Sequence, residues 1–310
     1  MTPLKTTTAS GILFVSASYF LFTLHDAVIK LLVTHLSVWQ IVFFRSLGIF
    51  AACMLIGGRG FAGRVISSPI VKPMAVRSLL LLAAWISYYT AAKSLQLAEL
   101  TTIYYAAPIV ATLLAIPMLG EKVPLPRWAA IILGFIGVIV ASNPAGLAIS
   151  LPVGLALLAA VLWASASVLL RKTAMNESTL VQMTLTNGFF VLLTFAMAIY
   201  HWQPIDFDSA ALQFLVVLLG GAAQASLFEA MRRAPVSVLA PFEYSSLIWA
   251  FVLGYVIWLD IPAHNVAIGA GLICCAGLLI VSTERLAARR YRLARPQTPA
   301  EASKEDATGA

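Results

Sequence analysis

The sequence predicts an all-α membrane protein of ten transmembrane helices, arranged as two inverted five-helix repeats. Three observations carry that prediction. The chain is 61% hydrophobic and 11% charged, with a mean hydropathy of +0.92, whereas a globular chain is about a quarter charged. Gly, Pro and charge clusters divide it into apolar segments of about 20 residues, the length that crosses a hydrocarbon core. The chain also matches itself weakly at an offset of about 140 residues, which marks an internal repeat.

The segments are 11–33, 37–57, 74–95, 98–119, 125–142, 151–171, 179–200, 209–231, 234–258 and 263–282. Only helices and closed barrels satisfy their backbone in lipid, and barrel-type alternation is absent, so all ten read as helices. The first opens at Gly11 after a short N-terminus with one basic residue, Lys5; His25 and Asp26 break the apolar core that a cleaved signal needs. Pro108 and Pro117 in the fourth permit kinks. Gly134 and Gly137 in the fifth, and Gly269, Gly271 and Gly277 in the tenth, let backbones approach, so these two helices should pack together or form a dimer contact.

The connections set a direction. Basic residues fill the loops after the second, fourth, sixth and eighth spans, and the tail; VTHLS, NPAGLAIS, HWQPIDFDSA and DIPAH, on the other side, carry none. Of the 20 basic residues, all but Lys30, Arg45 and Lys93 lie on one side. That asymmetry puts both termini in the cytoplasm. The net charge of +7 is thus a topology signal and not a nucleic-acid footprint. The expected organisation is a cytoplasmic N-terminus (1–10), a first repeat (11–142), a second repeat (151–283) and a basic disordered cytoplasmic tail (284–310).

The repeat pairs Lys30 with Lys172, Gln40 with Gln182, Arg45 with Asn187, Ala91 with Ala230, Tyr105 with Tyr244 and Glu121 with Asp260. Five spans is an odd number, so the second half must cross the membrane upside down. Inverted repeats recur in secondary transporters, with the substrate site between the halves near mid-membrane.

The segments APIVATLLAIPMLGEKV (107–123) and SSLIWAFVLGYVIWLDIP (245–262) resemble the two repeat signatures of EamA-type transporters, in the drug/metabolite transporter superfamily. The resemblance covers roughly residues 11 to 283 and implies movement of a small organic solute, such as an amino acid or related amphipathic metabolite, across the inner membrane without ATP. HDAVIKLLV with WQIVFFRSL resembles a subset that includes riboflavin and S-adenosylmethionine carriers. The pattern departs from symmetry where Gly120-Glu121 becomes Leu259-Asp260 and Pro108 becomes Leu247.

Charges inside spans mark candidate sites, because each costs about 2.5–3.5 kcal/mol at mid-membrane on insertion scales. Asp26 lies ~10 Å and Arg45 ~12 Å below the outer ends of their spans, so the two can meet between the first two helices. Lys30, one turn on, can pair with Asp26 or snorkel outward; His25 points about 100° away from Asp26. This set is either a structural ion pair or, through Asp26 with His25, a proton-coupling site. Glu243 sits deep in the ninth span, with Tyr104 as its repeat partner, and either lines the solute path or bonds a neighbouring helix. Trp85 and Tyr89 share a helix face with Tyr88, and with Tyr104, Trp163 and Tyr244 they can stack on a flat or cationic solute. The expected cavity lies between helices 1, 3, 4, 6, 8 and 9. Asn187 and Gln182 read as interhelical hydrogen bonds.

Other chemistry finds no footing. Cys53, Cys274 and Cys275 lack metal or disulfide spacing, and no H-E-x-x-H occurs, so no metal or cofactor is expected. Gly58, Gly60 and Gly63 satisfy G-x-G-x-x-G, but after a membrane span and not a strand, and no P-loop motif exists. The scattered His25, His35, His201 and His264 give no nucleophile–base set, so an intramembrane enzyme is the weaker reading. A passive channel lacks a repeated filter motif. The expected partners are a small-molecule solute and the lipid bilayer, with the chain as monomer or homodimer.

Overall fold

The computed structural model describes residues 4–107, 110–111, 113–114, 125–142, 150–173, 177–233, 242 and 245–294. Among these, the regular elements are all helices: α1 (Leu4–Leu32), α2 (Val38–Gly57), α3 (Phe61–Ile66), α4 (Val71–Ala92), α5 (Leu97–Tyr104), α6 (Leu125–Ser142), α7 (Leu151–Thr173), α8 (Thr179–Tyr200), α9 (Phe207–Arg233), α10 (Ser245–Trp258) and α11 (His264–Ala294). Stretches in α1, α2, α4, α7, α8 and α9 are long and apolar enough to span a bilayer, and shorter apolar runs lie in α6, α10 and α11. The protein is a multi-pass membrane protein. Its outward faces carry side chains such as Leu192, Phe214 and Val256, all exposed, as a surface turned to lipid requires.

Local chemistry explains the helix ends. Ser37 and Ser178 cap α2 and α8, their hydroxyls accepting from the amides of Gln40 and Val181. Gly58 and Gly60 adopt φ of 67° and 80°, which only glycine takes readily, and turn the chain into α3. That short helix was not expected. No strand precedes it among the described residues, so the glycine motif makes a turn and not a dinucleotide cradle. Two spans, 98–119 and 234–258, are described only through α5 and α10 with their flanking residues. The helix α11 runs to Ala294, beyond the expected end at Ser282, because Leu, Ala and Arg in that stretch are good helix formers.

The helices pack as close pairs: α1 against α9, α6 against α11, α4 against α7 and α2 against α8. The α6–α11 pair crosses closely at its glycines. A Cβ on Gly137 would sit 2.8 Å from the carbonyl oxygen of Gly269 and 2.9 Å from Ile273. Asn265 closes one end of this pair by donating to the carbonyl of Ala141 at 3.2 Å. Hydroxyls that would otherwise be orphaned in an apolar interior bond back to their own helix, as Thr102 does to Ala98 and Thr194 to Phe190. Ser18 instead bonds across to the carbonyl of Ala223, tying α1 to α9. Asn187 bonds Met183 in its own helix and reaches Gln224 of α9 at 3.5 Å, an interhelical contact as expected; Gln182 donates to the Glu177 carbonyl just before its own helix.

Candidate functional site

A cavity of about 110 Å³ opens between α1, α2, α4, α5, α7, α9 and α10. Its polar wall is built around Arg45 on α2, which is 1% exposed. Arg45 Nε donates to His25 Nε2 at 3.0 Å. A guanidinium nitrogen can only donate, so His25 Nε2 is an acceptor and the imidazole proton sits on Nδ1. That proton faces Asp26 Oδ1, 3.0 Å away, and Tyr88 donates its hydroxyl to Asp26 Oδ2 at 3.2 Å. The result is one continuous chain, Arg45 to His25 to Asp26 to Tyr88, that joins α2, α1 and α4.

Space for the guanidinium comes from α9. A Cβ on Gly220 would lie 2.8 Å from Arg45 Nε and 3.1 Å from His25 Cδ2, so any larger residue would drive into the contact. On its other side the guanidinium carbon lies 4.0 Å from the Trp85 ring centre, a cation–π stack. Arg45 Nη1 has no acceptor within reach among the described residues.

Much of the remaining described wall is aromatic. Trp85 and Tyr89 stack at 6.4 Å and 23°, Tyr88 meets Tyr104 edge-on at 5.1 Å, and Tyr104 lies 6.2 Å from Trp163. Spacings of this size are the favourable ones for aromatic quadrupoles. Trp85 also packs edge-on against buried Phe190 of α8, which fixes its tilt.

Of the residues singled out in the sequence, Trp85, Tyr89, Tyr104, Trp163, Asp26, His25 and Arg45 all line this cavity. Glu243 and Tyr244 lie outside the described residues. Three expectations need correcting. Lys30 does not pair with Asp26: its ammonium is 3.6 Å from Asp260, donates to the Leu95 carbonyl at 3.0 Å and lies 4.8 Å from the Trp258 ring centre. A long flexible stem at the end of α1 reaches the loops there more easily than it folds back. His25 does not point away from Asp26, because a ring on a rotatable stem swings through the angle between adjacent residues. Asp26 and Arg45 therefore meet through the imidazole and not directly. The cavity also takes a residue from α2, outside the expected set of lining helices.

The sequence did not pick out Tyr19, Thr101 and Ser246 as site residues, and Tyr88 only as a neighbour of Trp85. Tyr88 was findable, since it lies three residues from Trp85 on one face. Thr101 and Ser246 were not, because small hydroxyls are ordinary in membrane helices; Ser246 is engaged with the Tyr105 hydroxyl. Among the described residues no three His, Cys, Asp or Glu side chains converge as a metal site would require.

A model of the EamA-like transporter family matches residues 9–143 and again residues 150–283. The S-adenosylmethionine uptake transporter of Rickettsia prowazekii is 25% identical over 283 residues, covering 89% of this chain and 94% of its own length. The riboflavin transporter of Vibrio cholerae is 28% identical over 194 residues, 60% of this chain and 63% of its own. The pseudopaline exporter of Pseudomonas aeruginosa is 22% identical over 282 residues, 89% of this chain and 97% of its own. A crystal structure covers 91% of this chain and 99% of its own with a TM-score of 0.63 at 21% identity, a likeness of fold.

Proposed function

The chain belongs to the EamA-like transporter family, and on that premise we propose that it carries a small organic metabolite across the cytoplasmic membrane by alternating access, with the aromatic cavity as its solute site. One observation carries this reading. The Arg45–His25–Asp26 chain on the α1–α2 pair and the rings of Trp85, Tyr89, Tyr104 and Trp163, drawn from α4, α5 and α7, converge on a single cavity inside the bundle. Few polar groups among many rings is how small-molecule sites are generally lined.

The same proposal holds that the two halves are inverted repeats with both termini in the cytoplasm. The helix pairs support it. Exchanging the first five spans for the last five turns α1–α9 into α7–α4, and α1–α10 into α7–α5, and returns α2–α8 and α6–α11 to themselves; all of these pairs are in contact. A twofold exchange of this kind lets one bundle rock against the other around a fixed site. Orientation follows from the one-sided basic residues.

A second reading concerns the cargo. Relatives named for S-adenosylmethionine and riboflavin carry solutes with flat rings, and four rings around a cavity suit such a solute by stacking. The polar chain also bears on coupling. An imidazolium carries N–H on both nitrogens, so protonating His25 would force it to release Arg45. Reading the chain as a structural tie between α1, α2 and α4 needs no such break, and it is the reading adopted.

Proteoliposomes containing the purified protein test the proposal, with labelled S-adenosylmethionine and riboflavin on one side and a pH gradient imposed or absent. Accumulation above the equilibrium level is expected from a carrier. Saturable binding without flux would refute transport by alternating access. Flux indifferent to Trp85→Leu and to Trp163→Leu would refute the site.

A further inference from the structure

We propose that Arg45 selects the solute by binding its carboxylate, while Asp26 takes the solute's ammonium group; this rests on the cavity being the solute site. Arg45 is almost wholly buried, and among the described residues its Nε has an acceptor, His25. Its face is covered by Trp85, and Nη1, itself buried, has no acceptor among the described residues. A charged donor buried without a partner is costly, and a guanidinium end presents two parallel donors that fit a carboxylate. The residue lines the cavity. An occupant's carboxylate would therefore supply what the described residues leave out.

Asp26 provides the complementary half. Its carboxylate accepts from His25 and from Tyr88, two of the roughly four acceptor positions a carboxylate offers. Its side chain is 27% exposed, in contrast to the buried guanidinium. The acid and the guanidinium are held apart by the width of an imidazole and two contacts of 3.0 Å. That is the kind of separation an α-amino acid group bridges when its ammonium and carboxylate each make one hydrogen bond. The net charge of the pair is zero, so a zwitterion leaves the cavity neutral where a simple anion or cation would not. The rings of Trp85, Tyr89, Tyr104 and Trp163 then surround whatever flat group the amino-acid head carries. His25 keeps the two charged groups from collapsing onto each other and so preserves both for the solute.

The test compares pairs of probes that differ only in the carboxylate: S-adenosylmethionine with decarboxylated S-adenosylmethionine, and tryptophan with tryptamine. Riboflavin, which has no carboxylate, serves as the control. Binding to wild-type protein in detergent and flux in proteoliposomes are both measured. At least one zwitterion should bind on the order of tenfold tighter than its decarboxylated partner. Arg45→Lys should narrow that ratio and Arg45→Gln should abolish it, with riboflavin unaffected by the charge. Gly220→Ala, which keeps the charge but displaces the guanidinium, should narrow it as well and serves if Arg45→Gln does not fold. A ratio near one in the wild type, a ratio unchanged in these variants, or binding of neither zwitterion would overturn the assignment. Riboflavin flux under those results would leave the carrier reading standing, whereas absence of flux for every probe would remove both.

Discussion

Asp26→Asn and Arg45→Gln, made singly and together, test whether the His25-bridged pair acts as one unit. With an imidazole and two contacts of 3.0 Å between them, the charges lie about 8 Å apart, which at an effective dielectric of about 20 is an attraction of about 2 kcal/mol. Removing one partner loses that attraction and also leaves the other charge uncompensated inside the bundle. Such breaks cost about 3–5 kcal/mol when the pair is buried; the partial exposure of Asp26 puts its loss toward the lower end. Removing both leaves no stranded charge. The double variant should therefore be less destabilised than the sum of the singles, with a coupling of about 2 kcal/mol. The assay is unfolding in detergent, followed by the heat- or denaturant-induced change in tryptophan fluorescence, with Trp85 present throughout. Additive losses would refute the claim that Asp26 and Arg45 act as one unit. A double variant worse than either single by the full sum would do so most plainly.

Two further outcomes follow from the packing. Gly269→Val should lower stability by about 1–3 kcal/mol through overpacking, since even a Cβ there meets Ala141 Cβ at 2.7 Å; an unchanged melting temperature would show that α6 and α11 can separate freely. Lys30→Met should cost less than about 1 kcal/mol, because the Lys30–Asp260 pair is partly exposed. Lys30 nonetheless ties the end of α1 to the loop before α5, through Leu95, and to the loop after α10, through Asp260, so the exchange Lys30→Asp with Asp260→Lys should restore the transport rate that either single change alters. Rates that the exchange leaves at the single-variant level would remove the tie.

What could be read from the chain, and what could not, divides by the range of the forces involved. Spans such as 125–142 and 179–200 were legible end for end, because apolar length and the polar residues that bound it are properties of neighbouring positions. The α6–α11 crossing was legible from glycines alone, since a small residue on a membrane helix has few other uses. Trp85, Tyr89, Tyr104 and Trp163 were legible as candidates because large polar-tipped rings at intermediate depth are conspicuous. The partner of Lys30 was not, because Asp260 is remote in the sequence and only the fold brings it near. The order Arg45–His25–Asp26 was not legible either: it depends on side-chain rotation and on the gap left by Gly220, a residue that carries no charge and no signal of its own. The short α3 helix escaped for a different reason, its glycines reading as a loop.

The proposed repeat makes the charged chain more informative than it is alone. At the offsets that relate the halves, Arg45 corresponds to Asn187 and Trp85 to Gln224. In the first half these positions form a cation–π stack at 4.0 Å; in the second they form an amide contact at 3.5 Å, both groups buried. A contact between neighbouring helices is thus kept at these two pairs of positions, with a charge in the first half and neutral amides in the second. Interhelical amide contacts in membrane proteins average about 0.6 kcal/mol in double-mutant cycles. Asn187→Leu and Gln224→Leu should therefore couple weakly, at well under half the value expected for Asp26 and Arg45. Equal coupling at the two places would mean that the charge adds nothing to the contact, and the asymmetry would lose its functional sense.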